Sequence, residues 1–209
     1  MKIKICGITK EREIDYLNQV KTDYAGFVIF EKSKRYVTVE QAKQLFEKLD
    51  RDIKKVAVTV SPSVSLAREI QEAGFDVLQV HNVLDKEVLD ALSIPVWYAF
   101  NISRQEEMEE KQQFFQSLSD EQNNKIQAIV VDGARYGSGK TFDWTSRIES
   151  PIFEGRQFIL AGGLRASNVQ QGISIFQPDM VDVSSGVEGD MGKDKELIKE
   201  FIERVRTNE

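Results

Sequence analysis

Short apolar runs of strand length recur along the chain, and amphipathic stretches of helix length separate them. The runs predict strands over Lys2–Cys6, Ala25–Phe30, Val56–Val60, Val77–Val80, Val96–Phe100, Ala128–Asp132, Phe158–Ala161 and Met180–Val183. Several are β-branched blocks without alternation, the pattern of parallel strands covered on both faces. Helices are predicted over Glu11–Val20, Val39–Leu49, Ser63–Ala73, Lys86–Leu92, Gln105–Leu118, Ala166–Ile175 and Lys193–Arg206, with a weaker segment near Trp144–Glu149. In the last of the long ones, Ile198, Ile202 and Val205 fall on one face. Strict alternation implies parallel strands joined by right-handed crossovers. Eight such units close into a (β/α)8 TIM barrel of class α/β, and residues 1–209 are expected to form one catalytic domain. A doubly wound open sheet is the competing architecture.

Composition narrows the functional class. Of 209 residues, 41% are hydrophobic and 30% charged, which suits a globular protein. The net charge of −6 speaks against nucleic acid or an anionic membrane as the partner. A single cysteine excludes an internal disulfide, and a single histidine with no carboxylate cluster at ligand spacing leaves no metal site to expect. MKIKICGITKER lacks an apolar run of signal-peptide length, and no later segment has the length of a membrane span. The expectation is a cytoplasmic enzyme or binding protein, and a monomer by default because no long apolar surface stripe stands out.

Barrel chemistry sits at the C-terminal strand ends, so the residues following each strand matter most. Cys6-Gly7 follows the first strand, Lys32-Ser33-Lys34-Arg35-Tyr36 the second, and His81 ends the fourth. Asp132 ends the sixth, followed by Tyr136-Gly137-Ser138-Gly139-Lys140-Thr141. Gly162-Gly163 follows the seventh and Ser184-Ser185-Gly186 the eighth. Turns after the last two barrel strands often bind phosphate through backbone amides, and bare glycines let an anion approach. Either turn alone reads as an ordinary tight βα connection; together they point to phosphate. The Gly139-Lys140-Thr141 run is not a P-loop, because Ala134 stands where that motif needs glycine. It reads as a loop closing over substrate with Lys140 on an anion, or as a surface loop with a solvated lysine. Arg35 reads equally as a carboxylate clamp or as half of a surface basic pair. His81 reads as a substrate contact or as a hydrogen-bonding residue at a strand end.

Two residues could move protons. Asp132 is placed to donate a proton if burial raises its pKa, although Asp also caps turns. Cys6 is a small buried apolar residue by default, and a basic role needs an electropositive neighbour. Alternation puts Lys4 on the face of Cys6, one layer below it. Barrel closure would set Asp182 beside Lys4, which predicts a Lys4–Asp182 pair and a thiol pKa lowered by Lys4.

The motifs KICGIT (Lys4–Thr9), GFVIF-EKSKRYV (Gly26–Val37), LQVH (Leu78–His81), YGSGKTFDW (Tyr136–Trp144), LAGGL-x3-NV (Leu160–Val169) and DVSSGVE (Asp182–Glu188) closely resemble the phosphoribosylanthranilate isomerase family of tryptophan biosynthesis. The resemblance runs from Lys4 to about Phe201 in the family's order. It implies a (β/α)8 barrel and a cofactor-free Amadori rearrangement of N-(5′-phosphoribosyl)anthranilate to 1-(2-carboxyphenylamino)-1-deoxyribulose 5-phosphate. By motif it implies Cys6 as general base, Asp132 as general acid, Arg35 on the anthranilate carboxylate, and Gly162, Gly163, Ser184 and Ser185 on the phosphate. Two positions depart from the family's pattern: Asn82 stands where glycine is usual, and Glu31 where proline is. Asn tolerates a left-handed backbone, so Asn82 need not break the turn, whereas Glu31 adds a negative charge near the entrance. Competing functions are another phosphosugar barrel, which would use carboxylate or lysine chemistry, and a phosphate-binding barrel without activity.

Overall fold

In a computed structural model, residues 1–100, 105–132 and 151–207 are described. The strands are β1 (Lys2–Cys6), β2 (Tyr24–Val28), β3 (Lys54–Val60), β4 (Val77–His81), β5 (Val96–Phe100), β6 (Ile126–Asp132), β7 (Gln157–Ala161) and β8 (Met180–Val183). They pair in chain order and close on themselves, β8 returning to β1 in parallel register with Lys4 opposite Asp182. Closure excludes the open sheet. Around the barrel run α1 (Glu11–Val20), α2 (Val39–Phe46), α3 (Val64–Glu72), α4 (Lys86–Ala91), α5 (Gln105–Gln116), α6 (Asp120–Lys125), α7 (Val169–Phe176) and α8 (Lys195–Arg206). The segment expected near Trp144–Glu149 lies outside the described residues. The helix α6 was not predicted. Its Ser119 N-cap hydroxyl accepts from the Gln122 backbone amide at 3.2 Å, and the Gln122 side-chain oxygen accepts from Ser119 N–H at 3.1 Å.

Strand parity divides the apolar residues into two cores. Outward residues such as Ile3, Ile5, Phe27, Leu78, Val80, Ile129, Leu160 and Val181 are buried under the helices. From α1, Ile14 and Leu17 meet that layer, as do Ile198, Phe201, Ile202 and Val205 from α8. Each such side chain contributes about 1.5–3 kcal/mol when fully buried. Inward residues Val56, Val58, Trp97, Ala99, Ala128, Val130, Ile159 and Met180 fill the barrel. Parallel strands covered on both faces therefore account for the unbroken apolar runs of the sequence.

After β8 the chain makes a short antiparallel hairpin, β9 (Glu188–Gly189) and β10 (Gly192–Lys193), before entering α8. The sequence reading placed Lys193 at the start of the last helix. In the fold Asp194 is the N-cap, its carboxylate accepting from the amides of Glu196 and Leu197, and Lys193 is buried in the hairpin. The buried Glu13 of α1 fastens this hairpin to the β1 loop. Its carboxylate accepts from the amides of Thr9 at 2.7 Å, Lys10 at 3.1 Å and Lys193 at 3.0 Å.

Candidate active site

The C-terminal mouth of the barrel holds a cavity of about 640 Å³. Cys6, Arg35, His81, Asp132, Gly162, Gly163, Ser184 and Ser185 all line it. Eight expected site residues from six strand ends thus meet at one opening. Lys140 lies outside the described residues, as does the loop expected to close over the mouth.

Cys6 points inward because β1 places Lys4 and Cys6 on the interior face and Ile3 and Ile5 on the helix side. Gly26, opposite Cys6 on β2, leaves room for both polar side chains. A Cβ there would lie 2.8 Å from the sulfur and 3.1 Å from Lys4 Cε. Lys4 Nζ donates to Asp182 Oδ2 at 2.7 Å, as barrel closure required. Burial works to strip the Lys4 proton, but the neighbouring Asp182 and Cys6 hold its pKa above the ordinary value.

The expected low thiol pKa does not follow. Burial pushes the Cys6 thiol up, and this outweighs the lowering by Lys4 and by Lys193; Asp182 pushes it further up. Lys4 acts in the expected direction, yet its charge is largely matched by the carboxylate it pairs with. Sequence spacing could place the lysine but could not weigh desolvation against it.

Across the cavity, β4 carries Gln79 and His81, whose Nε2 atoms lie 2.9 Å apart. Burial, reinforced by Lys4, holds the His81 pKa at about 4, so the ring is neutral at pH 7. Gln79 Oε1 and Asp182 Oδ1 are buried acceptors with no hydrogen-bond donor among the described residues, and both residues line the cavity. Asn82 adopts φ +67°, the left-handed conformation anticipated for it, and its amide donates to Ser61 Oγ at 2.9 Å. Glu31 is exposed and is absent from the cavity lining.

The turns after β7 and β8 press against each other. Gly162 and Gly163 have φ of +88° and +66°, conformations open to glycine and costly for other residues. Gly186 admits the Leu164 carbonyl, since a Cβ would come within 1.8 Å of that oxygen. Ser184 Oγ lies 2.8 Å from the Cys6 carbonyl and 3.1 Å from Lys193 Nζ. An ammonium only donates, so the hydroxyl accepts from Lys193 and gives its proton to Cys6 O.

Arg35 does not stand free. Its Nε and Nη2 donate to Glu188 Oε1 and Oε2 at 2.5 and 2.8 Å, a two-pronged ion pair. Lys193 Nζ donates to Glu188 Oε1 at 2.6 Å and to the Ser184 carbonyl at 3.1 Å. Burial raises the Glu188 carboxyl, but the bonds from Arg35 and Lys193 prevail and hold its pKa at about 2. In the sequence, Glu188 belongs to a motif that gives it no role, and the predicted last helix includes Lys193. Acidic and basic residues bracketing Gly189 and Gly192 were the only available signal for a hairpin.

A closed parallel barrel with a thiol, a carboxyl and cations around one mouth is that of a (β/α)8-barrel enzyme. The sequence model of N-(5′-phosphoribosyl)anthranilate (PRA) isomerases matches residues 3–204. The N-(5′-phosphoribosyl)anthranilate isomerase of Clostridium acetobutylicum is 40% identical over 212 residues, covering 99% of this chain and 98% of that protein. That of Streptococcus gordonii is 39% identical over 98% of this chain and 97% of its own length. The crystal structure of phosphoribosylanthranilate isomerase from Thermotoga maritima superposes with a TM-score of 0.80 at 31% identity, covering 99% of both chains. A phosphoribosylanthranilate isomerase in complex with reduced 1-(o-carboxyphenylamino)-1-deoxyribulose 5-phosphate superposes at 0.76 with 28% identity over 99% of each chain. The chain belongs to the phosphoribosylanthranilate isomerase family.

Proposed function

We propose that this member of the family carries out its rearrangement, a step of tryptophan biosynthesis, with Asp132 as general acid and Cys6 as general base. The observation that carries this reading is their shared cavity: β1 and β6 are not neighbours, so thiol and carboxyl approach one sugar from different sides. Asp132 gives its proton to the furanose oxygen as the C1′–O bond breaks, and the anilino nitrogen lone pair forms the C1′=N iminium. The Cys6 thiolate takes the C2′ proton. The C–H pair becomes the C1′=C2′ bond, and the C=N pair returns to nitrogen. Ketonisation of the enolamine resets both groups, Asp132 taking the enol proton and Cys6 giving its proton to C1′.

Burial keeps Cys6 mainly thiol at neutral pH. The iminium adds a positive charge beside C2′, favouring thiolate when the base is needed. Lys4 and Lys193 act in the same sense. The glycine turns after β7 and β8 are assigned to the phosphate. Because the Ser184 hydroxyl is engaged with Cys6 O, Ser184 serves the phosphate through its backbone amide. Gln79 Oε1 and Asp182 Oδ1 offer acceptors to the hydroxyls of the opened sugar.

Fluorescence loss of phosphoribosylanthranilate generated in situ tests the assignment. Cys6→Ala and Asp132→Ala should each lower kcat by about 10²–10⁴-fold, while a phosphorylated product analogue still binds. A fully active Cys6→Ala overturns the base.

A further inference from the structure

We infer that Glu188, held by Lys193, positions Arg35 so that its outer edge grips the substrate's ring carboxylate, making the β9–β10 hairpin the determinant of selectivity for a carboxylated aromatic amine. The inference rests on the proposed role of Arg35.

A guanidinium offers two edges to carboxylates, one through Nε and one Nη, the other through both Nη atoms. Glu188 occupies the first edge in a two-pronged bond. Three of the five N–H groups, among them the parallel pair on the second edge, keep no partner among the described residues, and Arg35 lines the cavity. The stem of the same side chain packs into the space that Gly7 leaves, where a Cβ would sit 2.3 Å from Arg35 Cδ. Arg35 is therefore held from below and from one side before any ligand arrives, which reduces the ordering cost of binding.

An anion beside an anion-binding residue would ordinarily repel the ligand. Lys193 answers that repulsion. It is 3% exposed and lies 2.6 Å from Glu188 Oε1. Two buried or half-buried cations against one carboxylate leave the cluster positive toward the substrate. Lys193 is itself anchored, its amide to Glu13 and its ammonium to Ser184. Glu188 and Lys193 touch no reacting atom in this scheme; they are positioning residues.

The test measures inhibition by two compounds on each variant: reduced 1-(o-carboxyphenylamino)-1-deoxyribulose 5-phosphate and its phenylamino counterpart lacking the carboxylate. The unaltered enzyme should bind the first more tightly. Glu188→Gln should weaken the carboxylated compound roughly tenfold and change the other by less than about twofold. Glu188→Asp, which keeps the charge but shortens the reach, should lose the same discrimination; it carries the test if Glu188→Gln does not fold. Equal weakening of both compounds would show a merely structural role and overturn the inference. Tighter binding of the carboxylated compound would also overturn it, showing that Glu188 competes for Arg35. Arg35→Ala separates the two layers. Undiminished discrimination in that variant ends the Arg35 assignment itself, whereas discrimination lost in Arg35→Ala but kept in both Glu188 variants ends only the positioning role.

Discussion

The two sides of the barrel interior are built on different principles. Along β8, β1 and β2 the inward residues include the polar or small Asp182, Lys4, Cys6 and Gly26 together with Met180, Tyr24 and Val28, and the linked Ser184, Glu188, Lys193 and Arg35 stand above them. Along β5, β6 and β7 they are Trp97, Ala99, Ala128, Val130, Ile159 and Ala161 beneath Asp132. The first side is held by charges whose desolvation is tolerable only while each keeps its partner. The second is held by volume, and its losses are graded by the methylenes removed. One side is thus brittle and tunable, the other forgiving, and the proposed base and acid stand on opposite sides of that divide.

The sharpest way to break the contrast is Lys4→Met. It leaves Asp182 buried without its cation and should destabilise the fold by about 3–5 kcal/mol, with Lys4→Met/Asp182→Leu recovering most of the loss. Urea unfolding measures both. A loss below about 1 kcal/mol would show that water reaches the pair. In the same variant the thiol pKa should rise further, since Lys4 lowers it.

A smaller effect comes from His81, which faces Lys4 from β4. Its folded pKa of about 4 lies below the ordinary 6.5. Between those values the unfolded chain binds the proton that the folded chain refuses, so stability falls as pH drops through 6.5. It is the chain's one histidine, and the ordinary carboxylates titrate lower. From pH 6.5 to 5 the loss should reach roughly 2 kcal/mol, and His81→Gln should flatten it. An unchanged slope in that variant would mean the ring is protonated in the folded protein.

The mildest probe is Ile159→Val on the apolar side, where removal of one methylene should cost about 0.5–1.5 kcal/mol and leave kcat unchanged. If it costs as much as Lys4→Met, the sides do not differ in kind.

The legible parts of the molecule follow the same division. Strand ends were readable because parallel strands buried on both faces leave unbroken apolar runs, and where each run stops the barrel mouth begins. The Lys4–Asp182 contact was readable because parity and closure alone bring those residues together. Polar local structure was less readable. The α6 helix carries no apolar stripe, and only Ser119 and Gln122 in capping positions announced it. The β9–β10 hairpin has two-residue strands, too short for alternation. Starting the last helix two residues early made Lys193 a helical residue rather than a buried hairpin cation, and so hid the partners of Arg35. The thiol's upward shift was unreadable for another reason: it is a balance between burial and several charges that no single spacing encodes.

Asp182 and Lys4 lie 178 residues apart in the chain. During synthesis the first strand leaves the ribosome long before the last, and its lysine must wait in water for a counterion that has not yet been translated. The seam that seals the ring is also the seam that sets the sulfur's surroundings. A chain lacking its last strand leaves Lys4 without Asp182 and the mouth without Ser184 and Ser185, and it should therefore show no activity.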